Sequence, residues 1–303
     1  MTNLIRQFVF NKNILVIFFT GFGVVHAFNE AIKFYLGNFE LIAKFLNFFQ
    51  EKSLFLLAGI FIYALIRNYN EIKAIKCKTN SDFELEIKIG NIYKEKGSLI
   101  IGSGSTFDTS CNVSKNSLIG KFIKKYYKNK TEHLDNIIKK SLNRYSYVNL
   151  EDGRKGKKKR YKLGTVAQVP FKNNRRAYLL ALNDTNIDGN AEALPFSKLE
   201  EILNELWRYI PKHKLDFDEQ IVIPLLGTKF CGINKSKKEI INLILKTFAN
   251  HSKENNICKK LTIVISFKDY LDSKIQLQDL LFLAEYICFK FDNTLTQYES
   301  ILV

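Results

Sequence analysis

Closely spaced cysteine pairs are absent from this chain. The 303-residue sequence has five cysteines, an odd number, and none of them belongs to a CxxC pair. This pattern argues against a zinc site and against a disulfide framework, and it fits a reducing compartment. No metal site and no bound cofactor are expected. The five residues are Cys77, Cys111, Cys231, Cys258 and Cys288.

Long apolar runs are also missing. A spanning helix needs about 20 apolar residues. Ile14–Phe28 (ILVIFFTGFGVVHAF) and Leu54–Ile66 (LFLLAGIFIYALI) lack Asp, Glu, Lys and Arg, but both are shorter than that. The first run lengthens if its helix continues to Gly37. A cleaved signal peptide would explain the first run, but no small-x-small site follows it and a second run comes after. A pair of soluble core helices is the alternative, and we expect a membrane hairpin.

Polar residues restrict how the predicted hairpin can lie in a membrane. His26, Glu30 and Lys33 would share one helix face, and at membrane depth such a face must meet protein or water. An oligomer would satisfy this requirement. Between the two runs, Phe39–Phe49 (FELIAKFLNFF) has the apolar side of an interfacial helix.

Flanking cations predict the orientation. Six cations lie outside the two runs and three lie between them, which favours a cell-membrane location with both termini in the cytoplasm. The outer cations are Arg6, Lys12, Arg67, Lys73, Lys76 and Lys78, and the inner ones are Lys33, Lys44 and Lys52.

The chain carries an excess of positive charge, with a formal net charge of +16. This excess suits nucleic acid, anionic lipid or an anionic small ligand. Much of it lies in the run Arg154–Lys162 (RKGKKKRYK), which reads as a solvated loop or as a contact for acidic headgroups. With Tyr161 as its one aromatic residue, the run lacks stacking platforms for nucleic acid.

From about Asp82 onward, short apolar runs alternate with amphipathic segments. This alternation predicts an α/β domain, with helices on both faces of a mixed, mostly parallel sheet. We therefore place a hairpin and linker at residues 1–78 and a ligand-binding domain at 79–303. The predicted strands are Phe83–Ile89, Ser98–Ile101, Gly164–Phe171, Ala177–Leu182, Gln220–Ile223 and Leu261–Ser266. The predicted helices are Ser117–Tyr127, Leu134–Leu142, Pro195–Tyr209, Lys237–Phe248 and Leu277–Phe289.

Two glycine-containing turns directly follow predicted strands. Ile221–Gly232 (IVIPLLGTKFCG) runs from a strand into such a turn before a helix, and Gly102–Thr106 (GSGST) follows Leu99–Ile101. Turns of this kind expose backbone N–H groups to anions. Two of them predict a ligand with two linked phosphates, bound at the carboxyl ends of the strands.

These motifs are similar to those of macro domains. The order IKIGNI, SLIIGSGSTFDTS, KNSLIGKFI, YLLAL and VIPLLGTKFCG resembles the divergent macro domain of Thoeris antiphage effectors that have two N-terminal transmembrane helices. The resemblance covers Phe83 to the C terminus. It implies a transmembrane helical hairpin followed by a three-layer α/β/α macro-like domain.

The resemblance also implies ligand-binding positions. Asn91 stands where macro domains have the acid of G-D-I, and Lys229 stands where the second phosphate loop has a glycine. The family's N-A-A-N and glycine triplet are absent. The implied positions are Gly90, Asn91, Ile92, Ser103, Gly104, Ser105, Phe107, Asp108, Ser117, Leu118, Lys121, Leu225, Leu226, Gly227, Thr228, Lys229, Phe230 and Gly232.

The function implied by the resemblance is signal reception and not catalysis. A partner TIR-domain enzyme would make an ADP-ribose-type signal, histidine-ADP-ribose in this branch. Binding would rearrange a homo-oligomer, a tetramer or larger, and disrupt the membrane of the infected cell. A membrane-anchored ADP-ribosyl hydrolase or ADP-ribose-binding module is the first alternative, and a nucleic-acid-binding membrane protein is the second. Asp184–Gly189 (DTNIDG) starts like an EF-hand loop but has Pro195 at the twelfth position. It reads as a surface turn or as a lining for the distal ribose.

Overall fold

The computed structural model divides the chain into two compact units, Met1–Ala74 and Ile75–Val303. The residues that it describes are 16, 19–21, 23–24, 26–27, 30–31, 55, 58–63, 74–78, 83–110, 113–128, 130–151, 153, 155–172, 175–186, 190–214, 220–227, 232–273 and 275–299.

In the first unit, the described residues between 16 and 31 and between 55 and 63 are helical. The two segments touch, because a Cβ at Gly21 would lie 2.9 Å from Cγ2 of Ile60. Within this described part of the chain, no helix has both the length and the hydropathy needed to cross a bilayer. The predicted interfacial helix Phe39–Phe49 and the polar residue Lys33 lie outside the described residues.

The second unit is built on a seven-stranded mixed sheet. Its order is β1-β2-β9-β8-β3-β7-β6, in which β2, β9, β8, β3 and β7 run parallel and β6 is antiparallel to β7. The strands are β1 (Ala74–Lys78), β2 (Glu84–Ile89), β3 (Ser98–Gly104), β4 (Tyr147–Asn149), β5 (Lys159–Tyr161), β6 (Val166–Phe171), β7 (Arg175–Asn183), β8 (Gln220–Pro224) and β9 (Lys260–Ile265). The predicted mixed, mostly parallel sheet is confirmed.

Helices cover both faces of this sheet. They are α1 (Leu118–Phe122, continued by a π turn, Ile123–Tyr127), α2 (Thr131–Ser141), α3 (Phe196–His213), α4 (Lys237–Ser252), α5 (Phe267–Ser273) and α6 (Leu277–Glu299), with a short 3-10 turn at Ile92–Lys94. Trp207 of α3 and Phe248 of α4 are fully buried on one face, and Phe122 of α1 and Leu134 of α2 on the other. The three-layer arrangement is therefore as predicted.

The central strands form because their apolar runs are buried on both faces. In register, Ile263 of β9 pairs with Ile87 of β2 and with Ile223 of β8, and all three side chains lie in the same core. Burying one such side chain contributes about 1.5–3 kcal/mol. The parallel strands all present their carboxyl ends at one edge of the sheet.

Several elements differ from the sequence prediction. Residues 74–78, assigned to the linker, form the edge strand β1. The predicted turn at Gly102 is wrong, because β3 continues to Gly104 along β7. The helix α3 passes Tyr209 and includes Pro211 two residues before its end. The hairpin β4–β5 and helix α5 were not predicted.

Candidate functional site

A cavity of about 560 Å³ opens at the carboxyl ends of the parallel strands. Residues at the ends of β2, β3, β7, β8 and β9 line it, as does the segment before α1. Ligands of open α/β sheets bind at this edge. The lining residues are Gly90, Asn91, Ile92, Tyr93, Gly102, Ser103, Gly104, Thr106, Asp108, Val113, Ser114, Asn116, Ser117, Leu118, Ile119, Lys121, Leu182, Asn183, Thr185, Asn190, Ala191, Pro224, Leu225, Leu226, Gly227, Val264, Ser266 and Asp269.

The end of β3 forms a wall with little room for side chains. A Cβ added at Gly102 would meet Cδ2 of Leu182 at 3.0 Å, and one at Gly104 would meet Cγ2 of Thr185 at 3.4 Å. The glycines therefore allow the backbone to approach β7 and the cavity closely. This wall is continuous strand, and the tight turn comes after it.

Ser103 lies in the same wall and is 4% exposed. Within the described part of the chain, its Oγ has no hydrogen-bond partner. An unpaired buried hydroxyl costs roughly 1–3 kcal/mol, so such groups in native proteins usually have a partner. A ligand in the cavity could supply that partner.

The turn after β3 sends Phe107 away from the cavity. The N–H of Phe107 donates to the carbonyl of Gly104 at 2.9 Å, and Phe107 has a φ of 51°. Its ring is 1% exposed and stands edge-on to Tyr161 with centroids 5.7 Å apart. Packing therefore holds a left-handed conformation that costs about 1 kcal/mol or more for a non-glycine residue.

Asp108 follows Phe107 and returns to the cavity wall. Its carboxylate accepts from the hydroxyl of Thr106 at 2.8 Å and from the backbone N–H of Lys157 at 2.6 Å. The ammonium of Lys157 also lies 2.5 Å from a carboxylate oxygen of Asp135. The basic run is therefore docked on the domain at this point, and the expectation of a purely solvated loop is wrong there.

On the β7 side, Asp184 continues the same network. The hydroxyl of Ser105 donates to Asp184 at 2.5 Å, and Nε of Arg160 lies 3.7 Å from that carboxylate. Ser105 is fully buried. Its side chain supports the wall from behind and does not face the cavity.

The segment before α1 is held by a close backbone contact. Ser117 caps α1, and its Oγ accepts from the N–H of Gly120 at 3.0 Å. A Cβ at Gly120 would lie 2.2 Å from the carbonyl oxygen of Ser114. Glycine is therefore required here to bring residues 114–117 to the cavity.

The end of β2 lies at another side of the cavity. The N–H of Gly90 donates to the carbonyl of Ile265 at 2.9 Å. The side-chain oxygen of Asn91 accepts from the N–H of Tyr93 at 3.0 Å. An amide oxygen has a second lone pair, so Asn91 can still accept from a ligand. Burial and, secondarily, the neighbouring Tyr126 raise the pKa of Tyr93, whose hydroxyl donates to the carbonyl of Leu118.

The loop after β8 contributes Leu225, Leu226 and Gly227, and Gly227 has a φ of 77°. This left-handed conformation favours glycine. Thr228, Lys229 and Phe230 lie outside the described residues. Gly232 has a φ of 57° and packs beside Ala193, but it does not line the cavity.

Most of the positions implied by the resemblance come together in this cavity. Of the eighteen, Ser105, Phe107 and Gly232 are not among the lining residues, and three are not described. The twelve that line it are Gly90, Asn91, Ile92, Ser103, Gly104, Asp108, Ser117, Leu118, Lys121, Leu225, Leu226 and Gly227.

Some residues that line the cavity were not predicted from the sequence, and others were predicted only as one of two alternatives. Ser266 and Asp269 follow β9, where the N–H of Asp269 donates to Oγ of Ser266 at 3.1 Å. Both could have been predicted as lining residues from the sequence, because the strand before them was predicted and the carboxyl end of that strand had to lie at this edge of the sheet. Asn183, Thr185 and Asn190 also line the cavity, so the described part of the turn that begins at Asp184 lies at the cavity; its ribose-lining role stays a prediction.

The charges on the cavity wall are few. Among the described lining residues the ionisable acids and cations are Asp108, Asp269 and Lys121. Lys237 lies 3.3 Å from the Asp269 carboxylate and offsets its charge. An anionic ligand would therefore depend mainly on backbone N–H groups. The described residues contain no cluster of His, Cys, Asp and Glu that could hold a metal ion.

Comparison with known protein families finds one family that matches this chain. The family described as Thoeris protein ThsA, Macro domain, matches residues 85–266, more than half of the chain. No curated protein matches the sequence.

Solved structures show weaker likeness. A mutant Oceanobacillus iheyensis macrodomain with ADPR is 18% identical, with a TM-score of 0.46, and the alignment covers 69% of this chain and 98% of that one. A Trypanosoma brucei macrodomain in complex with ADP-ribose is 9% identical, with a TM-score of 0.41 and coverage of 62% and 66%. A mutant tomato leucine aminopeptidase is 10% identical, with a TM-score of 0.40 and coverage of 71% and 38%.

Proposed function

This chain belongs to the macro-domain family of the Thoeris protein ThsA, and we propose that its cavity receives an ADP-ribose-type signal. The observation that carries the proposal is the placement of two backbone segments, the end of strand β3 at Gly102–Gly104 and the loop Leu225–Gly227, on the wall of one cavity. Backbone N–H groups that face a cavity can bind phosphates. A cavity of about 560 Å³ lies in the range of nucleotide-sized sites.

In this proposal the diphosphate lies between the end of β3 and the loop after β8. The adenine lies toward Gly90 and Asn91, at the end of β2, and the distal ribose lies toward Asn183 and Asn190. The signal is a derivative such as histidine-ADP-ribose, made by a TIR-domain enzyme. What supports this order is the strand order of the sheet, in which β2 and β7 lie on opposite sides of β8 and β3.

We propose that the domain is a receptor and not an enzyme. Asp108 lines the cavity, but its carboxylate accepts hydrogen bonds from Thr106 and Lys157. The carboxylate keeps further lone pairs, so a role as general base depends on a positioned water and is decided by assay. Incubation of purified protein with an ADP-ribosylated peptide tests this point. Release of ADP-ribose at a rate that falls in Asp108→Asn would establish the alternative, a hydrolase.

We propose that the output is membrane disruption by a homo-oligomer at the cell membrane, with both termini and the macro domain in the cytoplasm. Support comes from apolar side chains that the helical residues of the first unit expose, such as Phe19 at 62% and Phe55 at 74%. Single exposed apolar residues are ordinary, but a cluster marks a protein or membrane contact.

A dye-leakage assay tests this output. Cells or liposomes carrying the full chain should leak when histidine-ADP-ribose is added. Ile60→Asp should stop the leakage and leave ligand binding intact, because a charge in a membrane costs about 2.5–3.5 kcal/mol on insertion scales. Leakage that is equal with and without the signal would rule out ligand gating.

A further inference from the structure

The basic run of this chain folds into the β4–β5 hairpin. Tyr147 pairs with Tyr161, Val148 with Arg160, and Asn149 with Lys159. One more backbone bond, from Leu150 N–H to the Lys158 carbonyl at 2.8 Å, extends the ladder. From residue 147 to 162 the sequence has seven Lys or Arg and two Asp or Glu, a net charge of 7 − 2 = +5.

The two faces of the hairpin differ. One face carries Tyr147, Tyr161 and Lys159. On this face the Tyr161 ring packs inward against Phe107. Tyr147 and Lys159 remain exposed, with the Lys159 ammonium 4.0 Å from the Tyr147 ring centroid.

Side chains alternate along a strand, so the opposite face carries Val148, Lys158, Arg160 and Lys162. Arg160 lies against Asp184 of the domain, and the exposed part of this face is Val148, Lys158 and Lys162 (the docking face). Val148 is 66% exposed, and Lys158 and Lys162 are exposed. An exposed aliphatic side chain thus shares a face with two exposed cations.

The hairpin is joined firmly to the domain. The N–H of Tyr161 donates to the carbonyl of Ser105 at 3.0 Å. The N–H of Lys157 donates to Asp108 at 2.6 Å, and Arg160 lies beside Asp184. These contacts would hold the docking face in one orientation.

We propose that the docking face binds the domain to an anionic lipid bilayer, with Val148 entering the interface and Lys158 and Lys162 meeting acidic headgroups. Each such cation contributes about 1 kcal/mol near an anionic membrane surface. A bilayer accepts an aliphatic side chain, whereas a nucleic acid favours stacking aromatics. Tyr147, the exposed aromatic residue of the hairpin, already lies under Lys159. This surface is separate from the cavity and does not depend on its ligand.

A local fluorescence reporter tests the proposal in the full chain. The sequence has one tryptophan, Trp207, which is fully buried, so Val148→Trp adds a distinct exposed probe. Its emission should shift to the blue, and brominated lipid should quench it, on vesicles of equal parts phosphatidylglycerol and phosphatidylcholine. Phosphatidylcholine alone should produce neither effect. The native sequence should show no change on either vesicle, because Trp207 does not reach the surface.

Charge reversal provides the matched comparison. Lys158→Glu with Lys162→Glu, in the Val148→Trp background, removes two cations and adds two negative charges, so it should need at least a roughly 30-fold higher vesicle concentration for the same shift. Lys246→Glu with Lys253→Glu changes the net charge equally on the other helical layer and should leave the shift unchanged. Thermal unfolding of each variant reports whether the fold is retained.

Three results would overturn the proposal. The first is an unshifted probe on anionic vesicles, the second is an equal shift on neutral vesicles, and the third is full retention of the shift after charge reversal in the hairpin. A shift on a single-stranded RNA oligonucleotide but not on vesicles would assign the face to nucleic acid instead. Because the probe reports on residue 148 alone, membrane contact by other parts of the chain cannot imitate the expected result.

Discussion

The backbone N–H of Lys157 donates a 2.6 Å hydrogen bond to the carboxylate of Asp108. The two residues are 49 positions apart in the sequence, and the bond joins the basic hairpin to the wall of the cavity. A second bond, from the Lys157 ammonium to the carbonyl of Phe107 at 2.6 Å, strengthens the junction. The loop after β3 thus has partners both in the cavity wall and in the hairpin.

Removal of the Asp108 carboxylate should therefore destabilise the domain. Asp108→Ala leaves the Thr106 hydroxyl and the Lys157 N–H without this acceptor, at a cost of about 1–3 kcal/mol in the free energy of unfolding. Asp108→Asn keeps one acceptor oxygen and should cost less than half as much. Urea denaturation of both variants measures the difference, and equal losses would contradict the proposed role of the acceptor.

Ser103→Ala should separate stability from binding. The hydroxyl is buried and, among the described residues, has no partner, so its removal should leave the free energy of unfolding unchanged or higher. Ligand affinity should fall by roughly tenfold, the value of one lost hydrogen bond in a buried site. Ser252→Ala is the control, because Ser252 Oγ is also unpaired and buried but does not line the cavity. If both variants bind the ligand like the native chain, Ser103 does not contact it.

Gly120→Ala should disturb the segment before α1. The new Cβ would lie 2.2 Å from the Ser114 carbonyl oxygen, so residues 114–117 must move away from the cavity. We expect a loss of about 1–3 kcal/mol, the range for overpacking a tight site. Gly90→Ala is the matched change, since its Cβ meets nothing closer than the Glu95 carboxylate at 3.9 Å. Chemical denaturation should show a large loss for the first and little for the second; the reverse order would refute the geometry.

The sheet edge opposite the cavity carries an ion pair with a pH signature. Glu86 is 7% exposed, and its carboxylate lies 3.0 Å from the Lys260 ammonium. Burial raises the pKa of Glu86, but the hydrogen bond and charge of Lys260, the charge of Lys88 and the hydroxyl of Thr262 together lower it more, so the net pKa is below the ordinary value. The stability gained by ionisation is then fully present above the unfolded pKa and is lost as the pH falls through the folded pKa.

Glu86→Gln should consequently lower the free energy of unfolding by about 1–3 kcal/mol at neutral pH. The gap to the native chain should shrink as the pH falls below about 4.3, the ordinary pKa of an unfolded glutamate, toward the lower pKa of the folded chain. Glu201→Gln, which removes the exposed pair with Lys198, should cost no more than about 0.5 kcal/mol. A gap that does not change between pH 7 and pH 3 would show that charge is not the cause.

The strands that the sequence predicted correctly are those made of a continuous run of apolar residues. Leu261–Ser266 is such a run, and the strand observed at Lys260–Ile265 differs by one residue at each end. The end of β3 was mispredicted because Gly102 and Gly104 are typical turn residues. Their strand conformation comes from pairing with β7, where Gly104 lies opposite Asn183, and sequence patterns do not show such long-range contacts.

The hairpin was missed for a similar reason. Lys159–Tyr161 has little strand propensity, and it pairs with β4 while Tyr161 contacts Ser105 and Phe107. The edge of the sheet that holds the cavity could be predicted, because strand ends in a parallel sheet converge. Which of these residues face the cavity could not be predicted, because the left-handed backbone at Phe107 is set by packing.

Calorimetric titration of the full chain with ADP-ribose tests the central claim, that the end of β3 and the loop after β8 bind a diphosphate in one cavity. We expect saturable binding, with adenosine and ribose 5-phosphate at least about 100-fold weaker, since neither supplies a diphosphate. Gly227→Val should abolish the heat, because a side chain at a φ of 77° displaces the loop. Gly153→Val places a side chain at a φ of 101° with no atom within 4 Å, outside the cavity, and should bind normally. Undiminished affinity in Gly227→Val, or adenosine that binds as tightly as ADP-ribose, would contradict the account.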